Sequence, residues 1–419
     1  MRVHKIKGWN PQGVKTTAWV LLLVWLGVGA AWGQAPQAPE KSISLDSGMG
    51  QPNNRAVGHL GIEMLESLGA LSDSTGNWAG DSYMGLLLKS YTEIYATYYV
   101  TSRYALVYHE MGHASRCQAM GASTYYTFLN ETTPRYNNVY SYFLAAMSKN
   151  YDGGLTWCSG GAVPATAPAD FAAIVGVTGG MNNSMYFSEQ IEDEIYFNGG
   201  HWLWLFPYLS EKMDAANYVS VIQNSTVLAP GTGDPEVIQQ FYAGKGYAIT
   251  LNDMKQASLN SLAGSATAWM LLYKTLIHND DTAVRAFDLG VFDAGGQEVR
   301  WRLPDTEMYF TTRGLSYKVR SAFRWGDWYF PFALETVTKG GSGSEVSMGV
   351  VKKDKQSDAP LEYSVMLIGP NLETYVRWDY LTLGLSHHHV ASLHGERQIM
   401  DLTKRNTNQE FWLRVSYYY

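Results

Sequence analysis

The chain has 419 residues, 46% of them hydrophobic, enough to bury a sizeable core and incompatible with a disordered polymer. Charged residues make up only 16% while aromatics reach 14%, with 29 Tyr and 14 Trp, a balance suited to a protein that meets both water and apolar surroundings. The formal charge of −7, without a basic cluster, argues against nucleic acid as a partner, because phosphate binding rests on grouped Lys and Arg.

Residues 1–33 open with Arg2, Lys5, Lys7 and Lys15, continue into AWVLLLVWLGVGAA and end on the small residues Ala31 and Gly33. This pattern predicts a secretory signal peptide cleaved near Gly33. The apolar run is short of the roughly 20 residues that span a bilayer. Removing the leader takes away four positive charges and moves the formal charge from −7 to −11. Export would place Cys117 and Cys158 in an oxidising compartment, where they either bond to each other or remain two buried thiols. Residues 34–55, rich in Pro, Gln, Ser and Gly, read as a flexible lead-in.

From residue 56 to 285 the periodicity predicts a mostly helical domain. Within it stands YALVYHEMGHASRCQAMG, residues 104–121. No Pro or Gly interrupts the chain between Leu86 and Gly112, and Gly121 follows as a helix-ending residue would. Residues four apart on a helix share a face, so His109 and His113 can aim two imidazoles at one metal ion. Glu110 sits beside them but outside the ligand pair, where a carboxylate can take a proton from water activated by the metal. A zinc site that keeps a position for water needs a third protein ligand. The best candidate is Glu189 in GGMNNSMYFSEQIEDEIYF, four residues before Asp193 on a predicted helix, with Glu192 and Asp193 as substitutes. His201 reads as a loop or interface histidine.

The string ALVYHEMGHASRCQAMGASTYYTF resembles the active-site helix of HExxH zinc metallopeptidases, especially the site-2-protease type and the gluzincins. The resemblance implies Zn2+ held by His109 and His113, with Glu110 as the general base. The Glu189/Asp193 spacing is similar to the second gluzincin motif, which implies Glu189 as the third ligand and Asp193 as the group that orients a ligand histidine.

After residue 288 the period changes from about 3.6 to 2. Apolar and charged residues alternate in LSYKVRSAFRW, GDWYFPFALETV, EVSMGVV and ETYVRWDYLTL, separated by KGGSGS, KKDKQSDAP and IGPN. About eight to ten antiparallel strands are expected. The run His387–His389 with His394 cannot all chelate one ion, since neighbouring strand residues point to opposite faces; a surface loop or barrel rim is expected there. The chain ends in EFWLRVSYYY, which resembles the closing strand of bacterial outer-membrane β-barrels. Aromatic outward positions alternating with polar inward ones suit a lipid-facing barrel, while the same alternation also suits a soluble sandwich in the periplasm.

The expectation is therefore an α+β protein: a helical metallopeptidase-like domain over 56–285, then an antiparallel β domain over 286–419 that forms a membrane barrel. Its expected work is zinc-dependent hydrolysis of a protein or peptide in the bacterial cell envelope, with membrane association in the outer membrane and the oligomeric state left open. The competing expectation is a non-enzymatic barrel or envelope scaffold carrying a degenerate HExxH motif.

Overall fold

The structure, a computed structural model, describes residues 42–46, 54–79, 83–129, 131, 136–149, 151, 153–159, 169–224, 233–276, 283–284, 288–294, 297–353, 361–378, 381–389, 392–394 and 407–418. The expected leader lies outside them, as does the terminal Tyr419. A first strand, β1 (Ser42–Asp46), precedes the helices α1 (Asn54–Ala79) and α2 (Tyr83–Ala119). The small strands β2 (Ser123–Phe128) and β3 (Gly154–Ser159) flank α3 (Val139–Ser148), and α4 (Ala169–Phe197) follows. Next come β4 (Gly200–His201), α5 (Leu205–Lys212), α6 (Asp214–Asn224), α7 (Asp234–Gly244), α8 (Leu251–Ala263), α9 (Ala266–Leu276) and β5 (Ala283–Val284). The remaining strands are β6 (Asp288–Ala294), β7 (Gln297–Arg302), β8 (Asp305–Thr311), β9 (Gly314–Trp325), β10 (Trp328–Gly340), β11 (Ser344–Lys353), β12 (Leu361–Ile368), β13 (Asn371–Trp378), β14 (Leu381–His389) and β15 (Thr407–Tyr418).

Helices thus occupy the N-terminal part and an antiparallel sheet the C-terminal part. The helix carrying HEMGH runs 37 residues and stops where Gly121 takes φ 75, a left-handed turn that costs glycine nothing. The chain then enters β2, which pairs antiparallel with β3. A disulfide between Cys117 and Cys158, with Cα atoms 6.0 Å apart, ties β3 to the end of α2. Helices α2 and α4 meet backbone to backbone. A Cβ on Gly112 would lie 2.2 Å from the Gly179 carbonyl oxygen, and one on Gly179 would lie 2.5 Å from the Gly112 carbonyl oxygen, so only glycine at both positions permits this approach. Tyr104, Tyr108 and Phe187 fill the contact on one side, with ring centroids 5.0 to 5.5 Å apart.

The main sheet has 11 strands in the order β1-β15-β14-β13-β12-β11-β10-β9-β7-β6, with β8 paired to β9 beyond the reach of β7. Among the described residues β1 and β6 are its two ends, and no pairing between them closes the expected barrel. Part of the expected flexible lead-in is also ordered as a strand: β1 pairs with β15 from Ser42↔Tyr418 to Asp46↔Arg414. The physical reason is that β15 would otherwise present a row of unpaired backbone groups, and even a five-residue segment can satisfy them.

The register assigns each alternating side chain to a face. Val319, Leu334, Val346, Met348, Leu367, Val376, Trp378, Leu383 and Phe411 all lie on the outer face and are exposed, Trp378 by 64% and Phe411 by 83%. The inner face carries Ser316, Lys318, Arg320, Glu335, Glu345, Ser364, Ser386 and His388, all buried. Its β8–β11 part packs against α4. The Asn182 side chain docks there like a strand, donating from Nδ2 to the Phe310 carbonyl at 2.8 Å and accepting at Oδ1 from the Phe310 amide at 2.9 Å. No helix among the described residues is long and apolar enough to cross a membrane.

Candidate metal centre

His109 and His113 stand one turn apart on α2, and their rings leave the helix on the same side. Their Nε2 atoms approach to 3.3 Å. A carboxylate completes the group: Asp234 Oδ2 lies 3.1 Å from His113 Nε2 and 3.5 Å from His109 Nε2. These three residues form a cluster that could hold a metal ion, with all ligand atoms within 4.8 Å of one another. Asp234 is the first residue of α7, followed by Pro235 and Glu236, and the Glu236 carboxylate accepts from the Gly233 amide at 3.3 Å. An acid and a proline in the first turn are favoured by the helix dipole and the missing proline donor. Ordinary helix-start chemistry therefore delivers the ligand.

Each imidazole is oriented through its other nitrogen. His113 Nδ1 lies 2.9 Å from the Gly176 carbonyl oxygen. A carbonyl only accepts, so Nδ1 carries a proton and Nε2 is the nitrogen left to serve as a ligand toward the cluster. His109 Nδ1 meets Asp214 Oδ2 at 2.8 Å, the carboxylate–histidine pairing that fixes ring direction and strengthens a ligand. Two ring nitrogens and a carboxylate oxygen then face one point, an arrangement that calls for positive charge. The protonation equilibria say the same. Burial disfavours the charged imidazoles, yet Asp214 and Asp234 outweigh it and raise His109 well above its usual range, and Asp234 likewise raises His113. Burial also works against the Asp234 carboxylate, but the two histidines hold its pKa far below the ordinary value.

Space is reserved in front of these atoms. A Cβ on Gly180 of α4 would lie 2.3 Å from His109 Nε2 and 2.5 Å from His113 Nε2. Donor set and cradle both fit a first-row ion such as Zn2+, with two nitrogen ligands and one oxygen ligand.

Glu110 is buried and held against β3. Thr156 Oγ1 lies 2.8 Å from Glu110 Oε2 and 2.9 Å from the Glu110 carbonyl oxygen. Burial raises the Glu110 pKa, with His113, His109 and Thr156 pulling partly the other way. A carboxylate with raised basicity beside a group of side chains that could hold a metal ion is suited to proton transfer.

The structure does not bring Glu189 and Asp193 to the histidines. Lys318 Nζ lies 2.8 Å from one Glu189 carboxylate oxygen and 3.0 Å from the other, and the Tyr309 hydroxyl donates to the same carboxylate. Asp193 pairs with Arg320 at 2.7 Å and Arg302 at 3.0 Å. Glu192, the other substitute, pairs with Arg320 at 2.5 Å and Lys212 at 2.7 Å. The reason is helical rise. Gly176, Gly179 and Gly180 contact the histidine helix, and Glu189 lies about 14 Å further along α4, where the inner face of the sheet supplies cations. His201 is buried and caps the turn Trp202–Trp204, its Nδ1 accepting from the Leu203 amide at 3.2 Å.

Sequence reasoning missed Asp234 and Asp214. Both open helices, in GTGDPEV and EKMDAAN, and nothing in the local spacing links either to HEMGH. No protein-family profile, curated protein or solved structure matches this chain.

Proposed function

We propose that the chain is a zinc-dependent hydrolase of peptide bonds in the bacterial envelope. The observation that carries this reading is the convergence of His109 Nε2, His113 Nε2 and Asp234 Oδ2 on one point, with the buried Glu110 next to it on the same helix. Zn2+ held there would supply Lewis acidity toward a carbonyl and acidify water near neutral pH. Glu110 takes the proton from the attacking water and passes it to the departing amine, while Thr156 holds the carboxylate in place. Asp214 and the Gly176 carbonyl keep both imidazoles in the ligating tautomer. Among the described residues β3 pairs only with β2, so its other edge, beside Thr156, offers backbone groups to an extended peptide.

The sheet supports a seat in the outer membrane. Its outer face is apolar across seven neighbouring strands and exposed, while its inner face is polar and buried, with α4 packed on the β8–β11 part. A soluble sandwich would turn the apolar face inward; a lipid-facing barrel turns it outward, as here. Closure would join β1 to β6, leaving no open edge in lipid.

The test is peptide cleavage by the purified full chain beside Glu110→Gln. The variant should keep its zinc and lose about 100-fold or more of the rate. A Glu110→Gln variant as active as the wild type, or a wild type that binds no zinc, would refute the reading. The membrane seat is checked separately by quenching of tryptophan fluorescence with brominated lipid, which should reach the outer face through Trp378.

A further inference from the structure

A second cluster of metal-ligating side chains lies within the sheet, apart from the helix-borne site. We infer that Glu373, His388 and His394 form a second site for a divalent first-row metal ion, independent of the hydrolytic reading above. Glu373 stands on β13 and His388 on the adjacent β14; the pairing Glu373↔Ser386 puts Glu373 and His388 on the same inner face. His394 comes from the short segment after β14. His388 Nε2 lies 2.8 Å and His394 Nε2 2.9 Å from the same atom, Glu373 Oε1. The three ligand atoms lie within 4.8 Å of one another, and both histidines are buried, 4% and 5% exposed.

Three features favour an ion over a plain hydrogen-bonded triad. Both imidazoles aim at one carboxylate oxygen rather than sharing the two, the pattern that His109 and His113 make with Asp234 Oδ2. Bonds of 2.0–2.1 Å around a tetrahedral ion put ligand atoms about 3.3 Å apart, so retreats of only about half an ångström would admit one. The ligand bearers are also fixed by bonds that do not involve the cluster. Glu345 accepts from the Leu393 and His394 amides, each at 3.1 Å. Asn371 Oδ1 accepts from the His389 amide at 2.7 Å, and its Nδ2 donates to Ser392 Oγ at 3.0 Å. Such support holds a site ready before the ion arrives. Two imidazoles and one carboxylate select Zn2+ or a neighbouring transition ion over Mg2+ or Ca2+, which prefer all-oxygen shells.

An ion here would fasten the segment after β14 to β13 and β14, and so stabilise that end of the sheet. The histidine run is resolved by the strand period: His388 faces inward, while His387 and His389 project to the other side, where their ring centroids lie 5.5 Å apart.

The test is zinc stoichiometry by equilibrium dialysis of the chelator-stripped full chain, in the wild-type and His113→Ala backgrounds. His394→Ala should lose one ion per chain in either background, and so should the near-isosteric Glu373→Gln, whose shape change is too small to unfold the sheet. His387→Ala should lose none. In the His113→Ala background, added zinc should still raise the thermal midpoint, and His394→Ala should abolish that rise. Unchanged stoichiometry in both His394→Ala and Glu373→Gln overturns the inference, as does an equal loss in His387→Ala. Failure of the first site alone would appear as one fewer ion in the wild type, with the His394 effect intact.

Discussion

His113 Nε2 and Asp234 Oδ2 lie 3.1 Å apart, although one sits inside a 37-residue helix and the other opens a helix far along the chain. The contact turns a two-histidine motif into a three-ligand cluster. Three glycines of α4 serve the same centre: Gly176 lends its backbone carbonyl to His113, while only the absence of a side chain at 179 lets the helices touch and at 180 leaves room before the imidazoles.

Gly180→Ala should therefore act on metal binding before it acts on folding. Its methyl group would fall 2.3 Å from His109 Nε2, and the rings must turn away from their shared focus. Zinc affinity at this site is expected to fall about 10- to 100-fold, the range found when ligand orientation is lost, with little change in far-UV circular dichroism. Calorimetric titration with zinc in the His394→Ala background reads the effect on this site alone.

Glu189→Gln should behave oppositely. It leaves Lys318, buried on the inner face, facing a neutral amide in place of its 2.8 Å carboxylate partner. Removing one member of a buried pair costs about 3–5 kcal/mol. Denaturation of the variant should come earlier by that amount, while its zinc content equals that of the wild type.

Cys158→Ser should cost stability and activity together. The disulfide to Cys117 closes a loop with a sequence separation of 41, for which chain entropy gives about 4 kcal/mol. The same bond holds β3, and with it Thr156, against Glu110. Urea unfolding should show the stability loss, and residual peptide cleavage should drop while zinc stays bound.

Glu211 predicts a pH dependence. It is buried at the end of α5, and burial first, then the charge of Asp214, pushes its pKa from 4.5 to about 8, with Ser184 and His109 opposing in part. The folded chain therefore keeps a proton that the unfolded chain releases above about 4.5. Stability from this group is full below pH 4.5 and is lost as the pH rises toward 8. Glu211→Gln should flatten this part of the curve: the fall in thermal midpoint between pH 5 and pH 8 should be smaller in the variant than in the wild type.

Much of this architecture is written locally. HEMGH could be placed on a helix because both imidazoles depend only on a four-residue step, and the turn into β2 follows from Gly121. The strands after residue 288 were legible from Lys318, Val319, Arg320 and their like, yet alternation does not say which face turns inward. That missing fact hid the fate of Glu189: an acidic helix reads as a possible ligand source until Lys318, Arg320 and Lys212 are known to surround it. Asp234 was hidden for a different reason. Its sequence signature, an acid before Pro235, is fully explained by a helix start, and only tertiary packing brings it to the histidines. The pairing of His388 with His394 was likewise out of reach, since a run of three adjacent histidines looks like a surface feature until Glu345 and Asn371 fix the segment after it. Strand β1 escaped because Ser42–Asp46 is short and set among Pro, Ser and Gly; its order comes from the open edge of β15.

The central claim is that a zinc ion belongs between His109, His113 and Asp234. Anomalous X-ray scattering at the zinc edge, from crystals of the full chain grown with zinc, locates such an ion directly. The account predicts a peak within bonding distance of both Nε2 atoms and the Asp234 carboxylate, and none at Glu189. An empty cluster, or a peak beside Glu189 instead, would contradict it.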